Sequence, residues 1–384
     1  MSANILLVSY VFPPSAGAGV QRISKLAEYL IFKGYFVSVL THDDHDLLQD
    51  NGLLGDVLVD VNVLCVPFFD HSDPGDDSLS LDVKRFVEKQ RPEIIISSSP
   101  TIEAHFLAKK IRGICSASWI ADFRDIPSEY TSWINYISCR EITKTERDIV
   151  NSSDSVVVIS DYHKNYVSKR YNTHEDKITV VMNGYDASDF NDKNNDKNES
   201  TLFESKLTLV HVGTFYGKRS PLMLIINALI AQRKSGIKLK LQLVGKMGRI
   251  SQFIVNLFQK VISIEVVGQV SHSKAIQIMH QADVLVLVPG RFGVGVITGK
   301  VFEYVASGRP VINLFSYAGP LTEILEGVDG VFNVHEVNFK KFSEVIRVIA
   351  DEDLPHHYHR SDFQKYERNN QYKVLESMML TLGK

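Results

Sequence analysis

Short hydrophobic runs recur along the whole chain. Ile5–Ser9, Phe36–Leu40, Val57–Val66, Ile94–Ser98, Ser118–Ala121 and Val156–Ile159 are nearly continuous in apolar residues. Such runs predict strands covered on both faces, because a strand with one wet face would alternate with a period of two. Between them lie amphipathic stretches. In Val20–Lys33 the apolar Ile23, Leu26, Ala27, Leu30 and Ile31 recur at three-and-four spacing, the signature of one helix face. Strand and helix in alternation predict βαβ units and a parallel sheet.

The alternation stops at Asn191–Ser200, NDKNNDKNES, where no side chain is apolar. A segment with nothing to bury reads as a solvated linker. It then restarts, with Leu207–Val212, Leu239–Val244, Ile264–Val267, Val284–Val288 and Val311–Leu314 as strands. The pattern predicts an N-terminal domain over 1–188, a linker over 189–205 and a C-terminal domain over 206–360. A last helical stretch over 361–384, carrying Phe363, Tyr366, Tyr372, Leu375 and Met379, would pack back on the first domain.

Composition narrows the class. The 384 residues are 44% hydrophobic and 23% charged, which excludes a disordered, collagen-like or disulfide-framework chain. A formal charge of −3 supplies no global basic field, so nucleic acid is not an expected partner. Cys65, Cys115 and Cys139 are far apart and form no CxxC pair, which fits a reduced, cytoplasmic compartment. The opening MSANILLVSY has neither a basic region nor a cleavage site of the secretory kind, and no apolar run reaches the roughly 18–20 residues of a spanning helix. A cytoplasmic protein, free or lying on the inner membrane face, is the expectation. Between Lys33 and Lys84 there is no Lys or Arg, whereas eleven Asp stand from Asp43 to Asp82; this reads as a solvated acidic rim or as a surface that repels anions.

Candidate chemistry gathers after the strands. VFPPSAGAGVQR follows the first; Gly17 and Gly19 would let the backbone approach an anion at the start of the next helix. A dinucleotide fingerprint would need a third glycine where Arg22 stands, and only Asp43 speaks for that rival, a nicotinamide-dependent oxidoreductase. Ile120–Asp125, IADFRD, closes another strand. Asp122 and Asp125 flank Arg124 and would bind sugar hydroxyls or act as a base, or else form a structural salt bridge. In the second half, Gly213 and Thr214 precede Lys218 and Arg219, small residues beside cations that suit a pyrophosphate. FGVGVITGKVFEYVASGRPVI brings a glycine-rich loop to a helix beginning near Thr298. Amides of Thr298, Gly299 and Lys300 would meet an anion, with Lys300 beside them, and Glu303 one turn on would accept from a ribose. Two weaker signals are Asp44-His45-Asp46, formally a DxD triplet, and His356-His357-x-His359; no metal framework accompanies either.

In this combination the chain resembles the retaining family 4 glycosyltransferases of the GT-B fold. ILLVSYVFPPSAGAGVQRISKLAEYL, ADFRD, VVVISDYH, VVMNGYD, HVGTFYGKRSP and TGKVFEYVASGRPVI follow one another in that family's order. The resemblance implies two Rossmann-like domains facing each other across a cleft. It implies that Glu303 holds the donor ribose and that Lys300, Thr298 and Gly299 contact the donor phosphates. Arg219 would neutralise the departing diphosphate; Gly17 and Gly19 would line the donor site; Asp122 and Asp125 would lie on the acceptor and sugar side. Asn183-Gly184 corresponds to the hinge-proximal pair. Gly295 stands where the first Glu of the family's E-x7-E motif belongs, which leaves the donor sugar open. The implied activity is sugar transfer from a nucleotide diphosphate donor, UDP-linked, to a glycan or lipid-linked acceptor of cell-surface polysaccharide, without metal or other cofactor. A GT-B-like nucleotide-sugar 2-epimerase and a non-catalytic sugar-binding protein are the rivals within this fold. Peripheral contact with an anionic membrane would run through Trp133, Ile134, Tyr136 and Ile137 with Arg140, Lys144 and Arg147.

Overall fold

The computed structural model describes residues 3–15, 18–42, 61–68, 79–99, 101–131, 136–190, 206–215, 220–288, 295, 297–351, 358 and 360–382. The chain divides into two units, Met1–Asn183 with Arg368–Lys384, and Gly184–Glu367.

In the first unit the elements run β1 (Asn4–Ser9), α1 (Ala18–Phe32), β2 (Phe36–His42), β3 (Asn62–Val66), α2 (Leu81–Gln90), β4 (Ile94–Ser98), α3 (Glu103–Arg112), β5 (Ser118–Phe123), α4 (Pro127–Thr131), α5 (Tyr136–Ser152), β6 (Ser155–Val158), α6 (Asp161–Tyr171) and β7 (Ile178–Val180). The strands pair in parallel in the order β3-β2-β1-β4-β5-β6-β7. The order reverses direction between β1 and β4, the topological switch point at which open parallel sheets bind ligands.

Both faces of this sheet are buried, which is why its strands read as unbroken apolar runs. Leu6, Val8, Ile95, Trp119, Val156 and Val158 face one core together with Val83, Leu107, Ile111, Ile149 and Val167 from the helices. Ile5, Leu7, Ile94, Ile96, Ile120 and Val157, one residue out of step, face the other with Ile23, Leu26 and Leu30 of α1. Helix α1 stops at Gly34, whose φ of 87° is left-handed; Gly34 N–H donates to the Ile31 carbonyl and Tyr35 N–H to that of Leu30, the closing pair of a Schellman turn.

The second unit runs β8 (Lys206–Val212), α7 (Leu222–Ser235), β9 (Lys238–Val244), α8 (Arg249–Phe258), β10 (Ser263–Gly268), α9 (His272–Gln281), β11 (Val284–Leu287), α10 (Gly299–Ala306), β12 (Val311–Phe315), α11 (Pro320–Ile324), β13 (Val331–His335) and α12 (Phe339–Ile349). Its sheet is parallel in the order β10-β9-β8-β11-β12-β13, again with one reversal, between β8 and β11. The final helix α13 (Arg368–Leu382) belongs to the first unit, where it packs beside α1.

Each unit is thus a Rossmann-like parallel sheet between helices, while several boundaries differ from the sequence expectation. The first unit ends at Asn183 rather than 188, because Tyr185 pairs with Glu367 and stacks on Phe363 in the second. Residues 189 and 190 are not linker: Phe190 packs on His280. The C-terminal stretch is two elements. Ser361–Tyr366 is a 3-10 turn whose Phe363 and Tyr366 pack on Phe302 in the second unit, and the chain straightens at Glu367 before α13 starts. Strands β7 and β13 were not expected; at three and five residues they are short edge strands. Linker residues 191–205 and most of the acidic run after Asp43 lie outside the described residues.

Helix α13 therefore contributes to the folding of a unit whose other members end 185 residues before it. Met379 is 1% exposed among Ile5, Leu26 and Leu30, while the adjacent Leu380 is 58% exposed. Met379→Ala should destabilise the first unit by about 2–5 kcal/mol and Leu380→Ala hardly at all, read as a shift in the denaturant midpoint.

Candidate active site

In the first unit, the carboxyl ends of β1, β4 and β5 converge on one buried ion pair. Arg22, one turn into α1, reaches Asp122 near the end of β5 with its guanidinium fork: Nε to Oδ2 at 2.9 Å and Nη2 to Oδ1 at 2.8 Å. Ser98 Oγ, at the end of β4, donates to Asp122 Oδ2 at 2.8 Å. The other guanidinium protons go to the backbone carbonyls of Val181 and Met182 and to Asn183 Oδ1, at 3.1, 3.3 and 3.3 Å. Tyr372 of α13 donates to the Arg22 carbonyl at 2.9 Å.

Arg22 and Asp122 are 7% and 3% exposed. Burial pushes the Asp122 carboxyl up, yet the Arg22 charge, its two hydrogen bonds and Ser98 together hold it below its ordinary 3.8. Asp122 is thereby an ionised anchor with both oxygens engaged, the salt-bridge reading of ADFRD with Arg22 rather than Arg124 as the partner. The same contact explains the missing third glycine: at that position the helix does not need to approach the strand closely, because it sends a guanidinium into the crevice.

Asp125 and Arg124 follow on the loop after β5. Ser99 Oγ accepts from both of their amides, at 2.8 Å from Arg124 and 3.3 Å from Asp125. The Arg124 Nε and Nη1 are shielded and have no hydrogen-bond partner, and burial pushes that guanidinium down from its ordinary value, with the Asp125 charge opposing. Gly19 is half-buried in the first turn of α1, whereas Gly17 lies outside the described residues. A histidine also comes to this edge: fully buried His163, in the first turn of α6, holds Glu129 Oε2 at 3.0 Å through Nε2.

In the second unit the ends of β8, β9 and β10 press together. A Cβ at Gly213 would fall 2.7 Å from His211 Nε2, and one at Gly245, where φ is +130°, 2.2 Å from the Gly213 carbonyl oxygen. Glycine at 245 is therefore a steric requirement of this strand end, whereas a side chain at 213 would require the His211 ring to move. Thr214 follows, half-buried; Tyr216 to Arg219 lie outside the described residues. Helix α10 starts at the carboxyl end of β11, and Tyr304 within it clamps β8: its hydroxyl accepts from the Val212 amide at 2.6 Å. That clamp fixes the first turn of α10 against the strand end that carries Gly213.

The first turn of α10 has no internal cap. Thr298 occupies the N-cap position without a side-chain hydrogen bond, and no acidic residue stands in the turn. Orphan amides and the helix dipole there favour an anion. Lys300 is half-buried and pairs with no carboxylate among the described residues, so the ion pair with Glu303 that its i,i+3 spacing allows does not form. Glu303 is 4% exposed and accepts no hydrogen bond among the described residues; His272 Nδ1 lies 4.0 Å from its Oε1. His272 Nε2 in turn meets Asp189 Oδ2 at 3.0 Å. Gly295, at the first position of E-x7-E, is buried.

The structure thus brings Gly213, Thr214, Thr298, Gly299, Lys300 and Glu303 into the second unit's strand-end region, and Gly19, Asp122 and Asp125 into the first unit's. Arg22, His163, Glu129 and His272 were missed by sequence reasoning. Arg22 and Asp122 are 100 residues apart, His163 and Glu129 34, and His272 and Asp189 83, and no local spacing signals such pairs. The triplet at Asp44–Asp46 and His356, His357 and His359 lie outside the described residues, as do Trp133 and Ile134.

The family profile described as Glycosyltransferase Family 4 matches residues 19–189, and that of Glycosyl transferases group 1 matches residues 206–352. Among solved structures, Anabaena HepE in complex with UDP and glucose is 16% identical, with a TM-score of 0.65 and 99% of each chain covered. A glycosyltransferase from Rickettsia africae is 15% identical, with a TM-score of 0.64, covering 100% of this chain and 96% of that one. The lipopolysaccharide outer core galactosyltransferase WaaB is 12% identical, with a TM-score of 0.64, covering 98% and 99%. No curated protein sequence matches the chain.

The buried pair gives a direct test. Asp122→Ala strands the Arg22 charge and should cost about 3–5 kcal/mol, whereas Arg22→Met with Asp122→Leu should recover most of that loss. Because the folded carboxyl titrates below 3.8, its contribution is complete at higher pH and fades as pH falls through the folded value. The gap between wild type and Asp122→Ala in urea should therefore be constant from pH 5 to 8, within the range where folded proteins are most stable, and narrow in acid.

Proposed function

The chain belongs to glycosyltransferase family 4 and is a glycosyltransferase of the GT-B fold, and on that premise we propose that it transfers a sugar from a UDP-linked donor, with retention at the anomeric carbon, to a glycan or lipid-linked glycan of the cell surface. The observation that carries the donor assignment is Glu303. Its side chain is almost wholly covered, its carboxylate accepts no hydrogen bond among the described residues, and the cis-diol of a ribose supplies two hydroxyl donors of the right kind. One turn earlier lie the uncapped amides of α10 and the unpaired Lys300, a match for a diphosphate. UDP as the nucleotide draws support from HepE, whose complex contains UDP and glucose. A lipopolysaccharide or related acceptor draws support from WaaB.

In this reading, charge developing on the leaving diphosphate is met by Lys300, the amides of Gly299 and Lys300, and Arg219. Fixed donors aimed at a developing charge lower the barrier without reorganising. The acceptor hydroxyl attacks the anomeric carbon on the face from which the diphosphate leaves; its oxygen forms the new glycosidic bond, and its proton passes to a departing phosphate oxygen. Thr214 and the Gly213 backbone border the phosphates, and Gly295 leaves the transferred sugar to be held by other groups. Asp125 is the acceptor-side carboxylate, because Asp122 is engaged by Arg22. The fixed cations and helix amides take the place a divalent ion would fill, so the transfer is metal-independent. A cytoplasmic protein acting at the inner membrane face fits this chemistry; among the described residues no helix is long and apolar enough to cross a membrane.

Lys300→Ala and Glu303→Ala should each lower transfer at least about tenfold, roughly 1.4 kcal/mol of transition-state stabilisation. Unchanged rates in both folded variants would remove the donor assignment. Transfer should persist in excess EDTA; loss restored by manganese would require a metal step. A UDP-sugar at a hundred times its dissociation constant should stabilise the fold by about 2.7 kcal/mol in a thermal-shift measurement, and the GDP-, dTDP- and CMP-sugars should fall short of that.

A further inference from the structure

Helix α8 turns the wrong side of an amphipathic helix to solvent. It rests on the second unit through Ser251 and Val255. Its outer side is apolar and bare: Ile250, Phe253 and Leu257 are 78%, 69% and 62% exposed, and Val261 just beyond the helix 53%. At 3.6 residues per turn the first three share an arc of about 60°. A contiguous bare stripe of this size marks a contact surface rather than scattered exposed leucines.

The charges around the stripe indicate what it meets. From Lys234 to Ile264 the chain contains six Lys or Arg and no Asp or Glu, in a protein whose formal charge is −3. Lys246 and Arg249 flank the start of α8 and Lys260 its end; all three are exposed, and none forms an ion pair among the described residues. Self-association through this helix would be opposed electrostatically. A two-fold pairing with a second copy sets cation against cation, Arg249 on Lys260 if antiparallel or each on itself if parallel. A short convex helix with a bare apolar ridge and unpaired cations at both ends matches an anionic lipid surface, where the ridge enters the acyl boundary and the cations meet the headgroups.

We propose that α8 is a membrane-docking element of the second unit, binding anionic phospholipid through Ile250, Phe253, Leu257 and Val261 with Lys246, Arg249 and Lys260. It is a different surface from the first-unit segment around Trp133 and rests on no part of the donor-site reading. The Gly248 amide at the foot of α8 donates to the Phe215 carbonyl at 2.7 Å, so the docked helix holds the loop after Gly213 and Thr214 close to the lipid.

The test is co-sedimentation of the full chain with vesicles of phosphatidylglycerol and phosphatidylcholine, and of phosphatidylcholine alone, at low and high salt. Wild type should sediment with the anionic vesicles at low salt and be released by high salt. Arg249→Gln with Lys260→Gln should lower partitioning about fivefold for each cation removed, and Phe253→Ser with Leu257→Ser at least about tenfold. These side chains are exposed, so melting temperature and its shift by UDP-sugar should be unchanged, which separates a failure of docking from a failure of the donor site. Absence of binding to anionic vesicles would overturn the proposal, as would binding unchanged in both variants. So would sedimentation velocity showing a dimer that the Phe253 and Leu257 substitutions dissolve.

Discussion

The first unit is organised by a charge pair withdrawn from water. Arg22 and Asp122 stand a hundred positions apart, and their bidentate contact joins α1 to β5 while Ser98 ties in β4. The remaining guanidinium protons reach the segment just before the crossing to the second unit, and the Arg22 carbonyl receives the Tyr372 hydroxyl of the returning helix. A buried ion pair is weak evidence for net stability, because desolvation consumes most of the Coulomb gain. Its consequence is register. Any arrangement of α1, β4, β5 and α13 that fails to bring these groups together leaves an uncompensated charge in a dry place.

The second unit uses a different device toward the same end. Its strand ends approach so closely that a Cβ at Gly245 would meet the Gly213 backbone, and Tyr304 fastens α10 to the end of β8 through a backbone amide. These contacts are satisfied. The groups left unsatisfied, the first-turn amides of α10, Lys300 and the Glu303 carboxylate, lie together within two turns of that one helix. Polar groups inside a fold are normally paired, so a cluster of them that is not, set on rigid elements, is the expected form of a ligand site.

Charge is distributed unevenly along the sequence. The acid-free reach from Lys234 to Ile264 and the cation-free reach between Lys33 and Lys84 belong to different units. A small net charge therefore conceals two units of different local charge, one reach that attracts anions and one that repels them.

The hydrophobic pattern was sufficient to read two parallel α/β sheets, because strands buried on both faces carry that requirement in every residue of Leu6–Val8 or Val284–Leu287. It was sufficient for the start of α10 as well, since Thr298 and Gly299 mark the local geometry of a helix terminus. Short edge strands such as Ile178–Val180 escaped, as three residues carry too little pattern. The break at Glu367, which sends Phe363 to one unit and Tyr372 to the other, escaped because both halves are amphipathic and only their destinations differ. The partner of Asp122 could not be read either. Arg124 is only two residues away, but β5 ends at Phe123, so strand alternation does not carry the Arg124 side chain onto the Asp122 face, and the long approach of Arg22 across the sheet's switch point is available only once β1, β4 and β5 lie side by side. The sequence by itself determined periodicity, glycine placement and helix termini, which are properties of a few consecutive residues; pairings between charges remote in the chain were decided only by the tertiary structure, because burial of a charge is a property of everything that surrounds it.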